Sequence, residues 1–137
     1  MNRTDLQQLA EVRVREAECL LQASLCDGAY YLAGYAVECA LKACIAKQTR
    51  EHDFPDRTLV NKSYTHDLEA LVGVAGLQGE LNQRKATDPA FAENWALVAG
   101  WSEEARYQRH DGLTARQFCS AVADPRGGVL EWLKAYW

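Results

Sequence analysis

Arg106 and His110 are the side chains in this 137-residue chain whose types and spacing come nearest to a reactive pair. They stand in its densest polar cluster, Trp101-Ser102-Glu103-Glu104-Ala105-Arg106-Tyr107-Gln108-Arg109-His110-Asp111. Ser102 followed by two glutamates reads as a helix start, which would place Arg106 and His110 at i,i+4 on one face. Metal-free RNA cleavage uses such a pair: the imidazole moves a hydroxyl proton and the guanidinium stabilises charge building on phosphate. The alternative is a solvated turn in which Arg106 pairs with Glu103 and His110 has no role.

A second constellation lies upstream. Tyr31, Tyr35, Glu38 and Lys42 follow one another at i, i+4, i+7 and i+11, so a helix gathers them into one polar-edged stripe. The stripe is either a Glu38–Lys42 ion pair beside tyrosines with satisfied hydroxyls, or the lining of a cleft or partner surface. Trp101, Tyr107 and Arg109 complete the candidate binding set. His52 sits between Glu51 and Asp53, but adjacent side chains point apart, which argues against a metal there. His66 opens a helix and is expected to serve the loop conformation or an inter-helix hydrogen bond. There is no P-loop, GxGxxG, HExxH or GxSxG motif. Neither a cofactor nor a metal is expected.

The elements that must position these residues are helices. Three prolines and no sustained apolar/polar alternation leave little room for strands. A first helix is expected from about Thr4, as N-cap, to about Leu25, with Leu6, Leu9, Ala10, Ala17, Leu20 and Leu21 on one face. Arg13 shares that face and needs a partner or a route to solvent. Asp27-Gly28 marks a turn, with Asp27 able to cap the second helix, about Gly28 to Lys47. That helix is apolar almost all round, and its mid-span charges, Glu38 and Lys42, argue against a membrane span. A central helix packed on several sides fits better, with Ala33, Gly34, Ala36, Ala40 and Ala43 permitting close approach.

Residues 48–65 read as a long polar connection. Thr65 is expected to cap HDLEALVGVAG, Gly76 to end it, and a short helix to cover about Leu77 to Lys85. Asp88-Pro89 is a cap-plus-N1 signal for the next helix. The last segment, about Leu113 to Trp137, is helical but interrupted at Asp124-Pro125. The expected fold is all-α: a single domain over residues 1–137, an up-and-down bundle of five to six helices.

The composition suits a small, soluble, folded chain, 48% hydrophobic and 25% charged, with a net charge of −4. That balance excludes a broad grip on duplex DNA but hides local differences. Residues 1–27 carry three basic and five acidic side chains, whereas 106–116 carry Arg106, Arg109 and Arg116 against Asp111. A phosphate-sized positive patch is therefore compatible with the total. The five cysteines are odd in number, form no CxxC pair and follow no secretory signal. They read as reduced, small, buried apolar groups in a cytoplasmic protein.

The run AYYLAGYAVECALKACIAK, the later HDLEALV, and WSEEARY followed by a terminal VLEWLK helix together resemble the HEPN domain family of bacteria and archaea, over about Asp5 to Trp137. The resemblance implies an α-helical bundle and a homodimer, which four Trp and six Tyr in so small a chain would also suit. Many members are metal-independent endoribonucleases, often toxins paired with a small nucleotidyltransferase; others bind nucleotides, RNA or partner proteins. In the ribonucleases an Arg is followed by four to six residues and then His, and in one toxin subgroup a Tyr stands two residues later. Here three residues separate Arg106 from His110, and Gly112 occupies the Tyr position. Two functions follow from the resemblance. One is a dimeric module binding RNA, a nucleotide or a nucleotidyltransferase partner through Tyr31, Tyr35, Glu38, Lys42, Trp101, Tyr107 and Arg109. The other is a divergent endoribonuclease in which Arg106 and His110 are catalytic.

Overall fold

Caps and apolar spacing divide the chain into short helices. The computed structural model describes residues 1–50, 52–54 and 56–137. Among these lie eight α-helices: α1 (Arg3–Gln22), α2 (Cys26–Ala46), α3 (Arg57–Ser63), α4 (Leu68–Val74), α5 (Gln78–Thr87), α6 (Pro89–Ala99), α7 (Gly112–Ala123) and α8 (Val129–Lys134). A 3₁₀ turn, Glu103–Tyr107, separates α6 from α7. The all-helical expectation holds, with more helices than the five or six anticipated.

The boundaries differ where local hydrogen bonding outcompetes the expected caps. Asn2, not Thr4, caps α1, because Asn2 and Asp5 satisfy each other's backbone N–H groups reciprocally at 2.9 Å. The helix ends at Gln22, short of Leu25, since Ser24 turns left-handed at φ 61°. The Leu25 and Ser24 amides then return to the Leu20 and Leu21 carbonyls, as in a Schellman motif. So α2 begins at Cys26, and Asp27 lies in its first turn rather than capping it. Within the polar connection, Asp56 caps α3 by accepting from the Thr58 and Leu59 amides. Asp67, not Thr65, caps α4 through the Ala70 amide. Gly76, at φ 72°, ends α4, and Asp88 with Pro89 starts α6, both as expected.

Helix α2 is the axis of the molecule. It packs against α1, α4, α7, α8 and the 3₁₀ turn, which explains why it is apolar on nearly every side. Val37, Leu41, Leu68, Leu71, Phe91, Val98, Phe118, Val122 and Leu133 form the fully buried core around it. Burying a side chain of this kind contributes about 1.5–3 kcal/mol, so this central contact dominates stability. Three of the cysteines, Cys39, Cys44 and Cys119, are buried as expected, and burial pushes each thiol up to about 11. Cys19 is exposed and Cys26 half-buried, which corrects the reading of all five as core groups. No helix among the described residues is long and apolar enough to cross a membrane.

Candidate functional site

Residues 30 and 31 of α2 open onto two different surroundings. Tyr30 stacks on His110 with ring centroids 3.7 Å apart and planes 9° from parallel, and it also meets Phe118. The His110 backbone N–H donates to Asp27 at 2.6 Å. His110 is thus held by its ring and by its main chain. Its Nε2 is buried, with no hydrogen-bond partner among the described residues.

The expected helical face carrying Arg106 and His110 does not form. Ser102 makes no side-chain cap, the helix is a five-residue 3₁₀ turn, and Gln108 is already extended. Asp111 then caps α7 through the Thr114 amide, so the chain leaves one element and starts another across the pair. Arg106 instead lies 5.0 Å over the ring of Tyr107, which is 74% exposed. Its guanidinium is raised above its ordinary value chiefly by the Tyr107 phenol, then by Glu103 and Tyr31, against some desolvation.

Tyr31 links this surface to the interior. Its ring stacks on Tyr35 at 6.3 Å and on Trp101 at 6.0 Å. Trp101 itself is only 3% exposed. Its indole lies on Gly34, where a Cβ would collide with the ring. Trp101 therefore supports the surface from beneath, and it also lines the cavity beside His66 and Glu103. Arg13 finds its outlet here, paired with Glu16 at 2.6 Å and lying 5.9 Å from the Tyr35 ring. Burial, then the neighbouring Cys39 and Glu38, raises the Tyr35 hydroxyl. Arg109 is exposed.

The charged centre is Glu38, 2% exposed on the apolar axis. Its Oε1 accepts from Lys42 Nζ at 2.8 Å, the expected ion pair, and lies 2.9 Å from His66 Nδ1. His66 Nε2 is 3.2 Å from Glu103 Oε2. One imidazole so ties α2 to the segment before α4 and to the 3₁₀ turn. A neutral ring has one N–H, so both contacts are hydrogen bonds together only in the imidazolium. Beside it, His66, Asp67, Glu69, Trp101, Glu103 and Glu104 line a cavity of about 440 Å³.

His66 and Glu103 are the members of the site absent from the sequence-based set. Two signals pointed to His66. A carboxylate on an almost wholly apolar helix needs more than one lysine as partner. In addition, a histidine just before an Asp cap lies outside the helix and is free to turn inward. His52 adopts φ 75°. Glu51, invoked beside it, and Pro55 lie outside the described residues. Among the described residues no three His, Cys, Asp or Glu side chains come together as a metal ion would require.

Comparison of the chain with protein-family profiles, curated proteins and solved structures finds no match.

Proposed function

We propose that the chain is a HEPN-like helical module, acting as a homodimer in the cytoplasm, that binds single-stranded RNA or a nucleotide on the surface around Arg106. The observation carrying this reading is the Arg106 guanidinium over the exposed Tyr107 ring, beside a Tyr31 ring backed by Trp101. An exposed aromatic face stacks a base, and an arginine fixed next to it takes the phosphate. Arg109 and Arg116 add positive charge nearby in sequence. Exposed Leu97 and Leu113 suit the homodimer that the family resemblance implies. A nucleotidyltransferase partner, as in toxin–antitoxin-like pairs, belongs to the same reading.

The endoribonuclease alternative, with Arg106 and His110 as catalytic residues, draws no support from the geometry. The His110 ring is stacked on Tyr30 while Arg106 attends Tyr107, Glu103 and Tyr31.

Fluorescence anisotropy with a labelled single-stranded RNA of mixed sequence tests the proposal. Tyr107→Ala is expected to weaken binding by roughly 5- to 100-fold, the loss of one stacked base. Arg106→Ala is expected to weaken all sequences alike and to lower the salt slope by about one phosphate. Absence of RNA and nucleotide binding by the wild-type protein, or indifference to both substitutions, would overturn the reading.

A further inference from the structure

Helix α3 alone among the described α-helices has no fully buried side chain. It spans seven residues, and helices so short draw their stability from tertiary packing rather than from propensity. It packs on α4, and between α3 and the ends of α1 and α2 a cleft of about 410 Å³ stays open. Leu6, Ile45, Ala46, Leu59, Val60 and Tyr64 wall this cleft. Val60 is 41% exposed and Tyr64 77%, so an apolar wall faces solvent. Among the described residues one charged side chain lines the cleft, Lys42, and no carboxylate does. Its Nζ donates to Glu38 Oε1 at 2.8 Å, an oxygen that also meets His66 Nδ1. An ammonium has three N–H donors, so Lys42 keeps donors for a second acceptor. Ser63, a hydroxyl on the same wall, donates its proton to the Leu59 carbonyl at 2.6 Å.

We propose that this cleft binds a free fatty acid, a single alkyl chain ending in a carboxylate. The chain lies between α3 and the ends of α1 and α2, the carboxylate meets Lys42 Nζ, and no covalent bond changes. The volume falls within the range of about 300–1,000 Å³ typical of small-ligand sites. The apolar walls take the methylenes out of water. The one charge on the lining is positive and so complements an acid head group. As a wall, α3 is about 10 Å long at 1.5 Å per residue, enough for a short alkyl chain and too little for a partner's helix. A bound chain gives α3 the apolar contact it lacks, so the ligand stabilises that helix and the fold with it. The site goes beyond the RNA reading, which concerns the surface around Arg106.

Methyl NMR of the whole protein, titrated with sodium octanoate, tests the site. The Leu6, Ile45, Leu59 and Val60 methyl resonances are expected to shift together and to saturate. From hexanoate to octanoate to decanoate, affinity should rise by up to roughly fourfold per added methylene. Octanol, with the same chain and no charge, is expected to bind roughly tenfold more weakly than octanoate. Lys42→Met is expected to erase that difference. Because Lys42 also partners the buried Glu38, Val60→Glu tests the cleft away from that pair. A like charge at this exposed wall position should weaken octanoate roughly tenfold and octanol less. Absence of the methyl shifts, octanol binding as tightly as octanoate, or indifference to Val60→Glu overturns the proposal. The same shifts on raising the protein concentration alone would assign the cleft to a second copy and overturn it too. So would shifts produced by phosphatidylglycerol vesicles and not by octanoate, which would make it a membrane contact.

Discussion

Tyr30 and Tyr31 are neighbours on α2, yet they organise opposite kinds of chemistry. About 100° of helical rotation separates them. Tyr30 faces Phe118 and the His110 ring in a closed stack, where burial raises its hydroxyl. Tyr31 faces Trp101 and the Arg106 surface, where an exposed tyrosine and a guanidinium meet solvent. The first assembly ties the loop before α7 to the start of α2; the second presents groups for use. The lesson is that a histidine's neighbours in space, not its spacing from an arginine in sequence, decide whether it packs or reacts.

The comparison can be broken most forcefully at its shared support. Gly34→Ala places a methyl group in the Trp101 ring, and overpacking of this kind costs about 1–3 kcal/mol, here towards the upper end because backbone and indole are both held. Urea denaturation should show that loss together with weaker RNA binding; a wild-type midpoint would mean that Trp101 does not rest on Gly34 in solution. His110→Ala tests the closed side. It should lower stability by about 1–2 kcal/mol through the lost stack while leaving RNA affinity within twofold. A large affinity loss at unchanged stability would return His110 to the reactive set.

The smallest effect concerns the link between the two sides. The Thr114 amide, foremost, holds the Asp111 carboxyl below its usual 3.8. A depressed folded-state value means the cap's contribution is complete above the unfolded value and fades as pH falls through the folded one. Thermal melts from pH 5 to pH 3 should therefore lose slightly less stability in Asp111→Asn, which caps without titrating. An identical slope in both proteins would show that Asp111 does not contribute to the acid limb.

Much of the fold was legible because its signals are local. Asp88-Pro89 starts a helix wherever it is placed, Gly76 supplies a left-handed residue, and the Glu38–Lys42 spacing makes an ion pair on any helix. The misreadings arose where two local options competed. Asn2 displaced Thr4 because a reciprocal capping box satisfies two amides rather than one. Ser24 ended α1 early by accepting a left-handed conformation that residue type alone does not announce.

The candidate site divides along the same line. Sequence by itself determined the helical class, the apolar axis with Glu38 and Lys42 spaced on it as an ion pair, and a cation beside aromatics at Arg106 and Tyr107. Those follow from periodicity and from side-chain types within a turn or two of one another. Only the tertiary structure decided that His66 answers Glu38 across 28 positions, that Asp27 holds His110 across 83, and that Trp101 lies beneath the surface on Gly34. Those partnerships depend on which helices α2 is packed against, and no spacing along the chain encodes that packing.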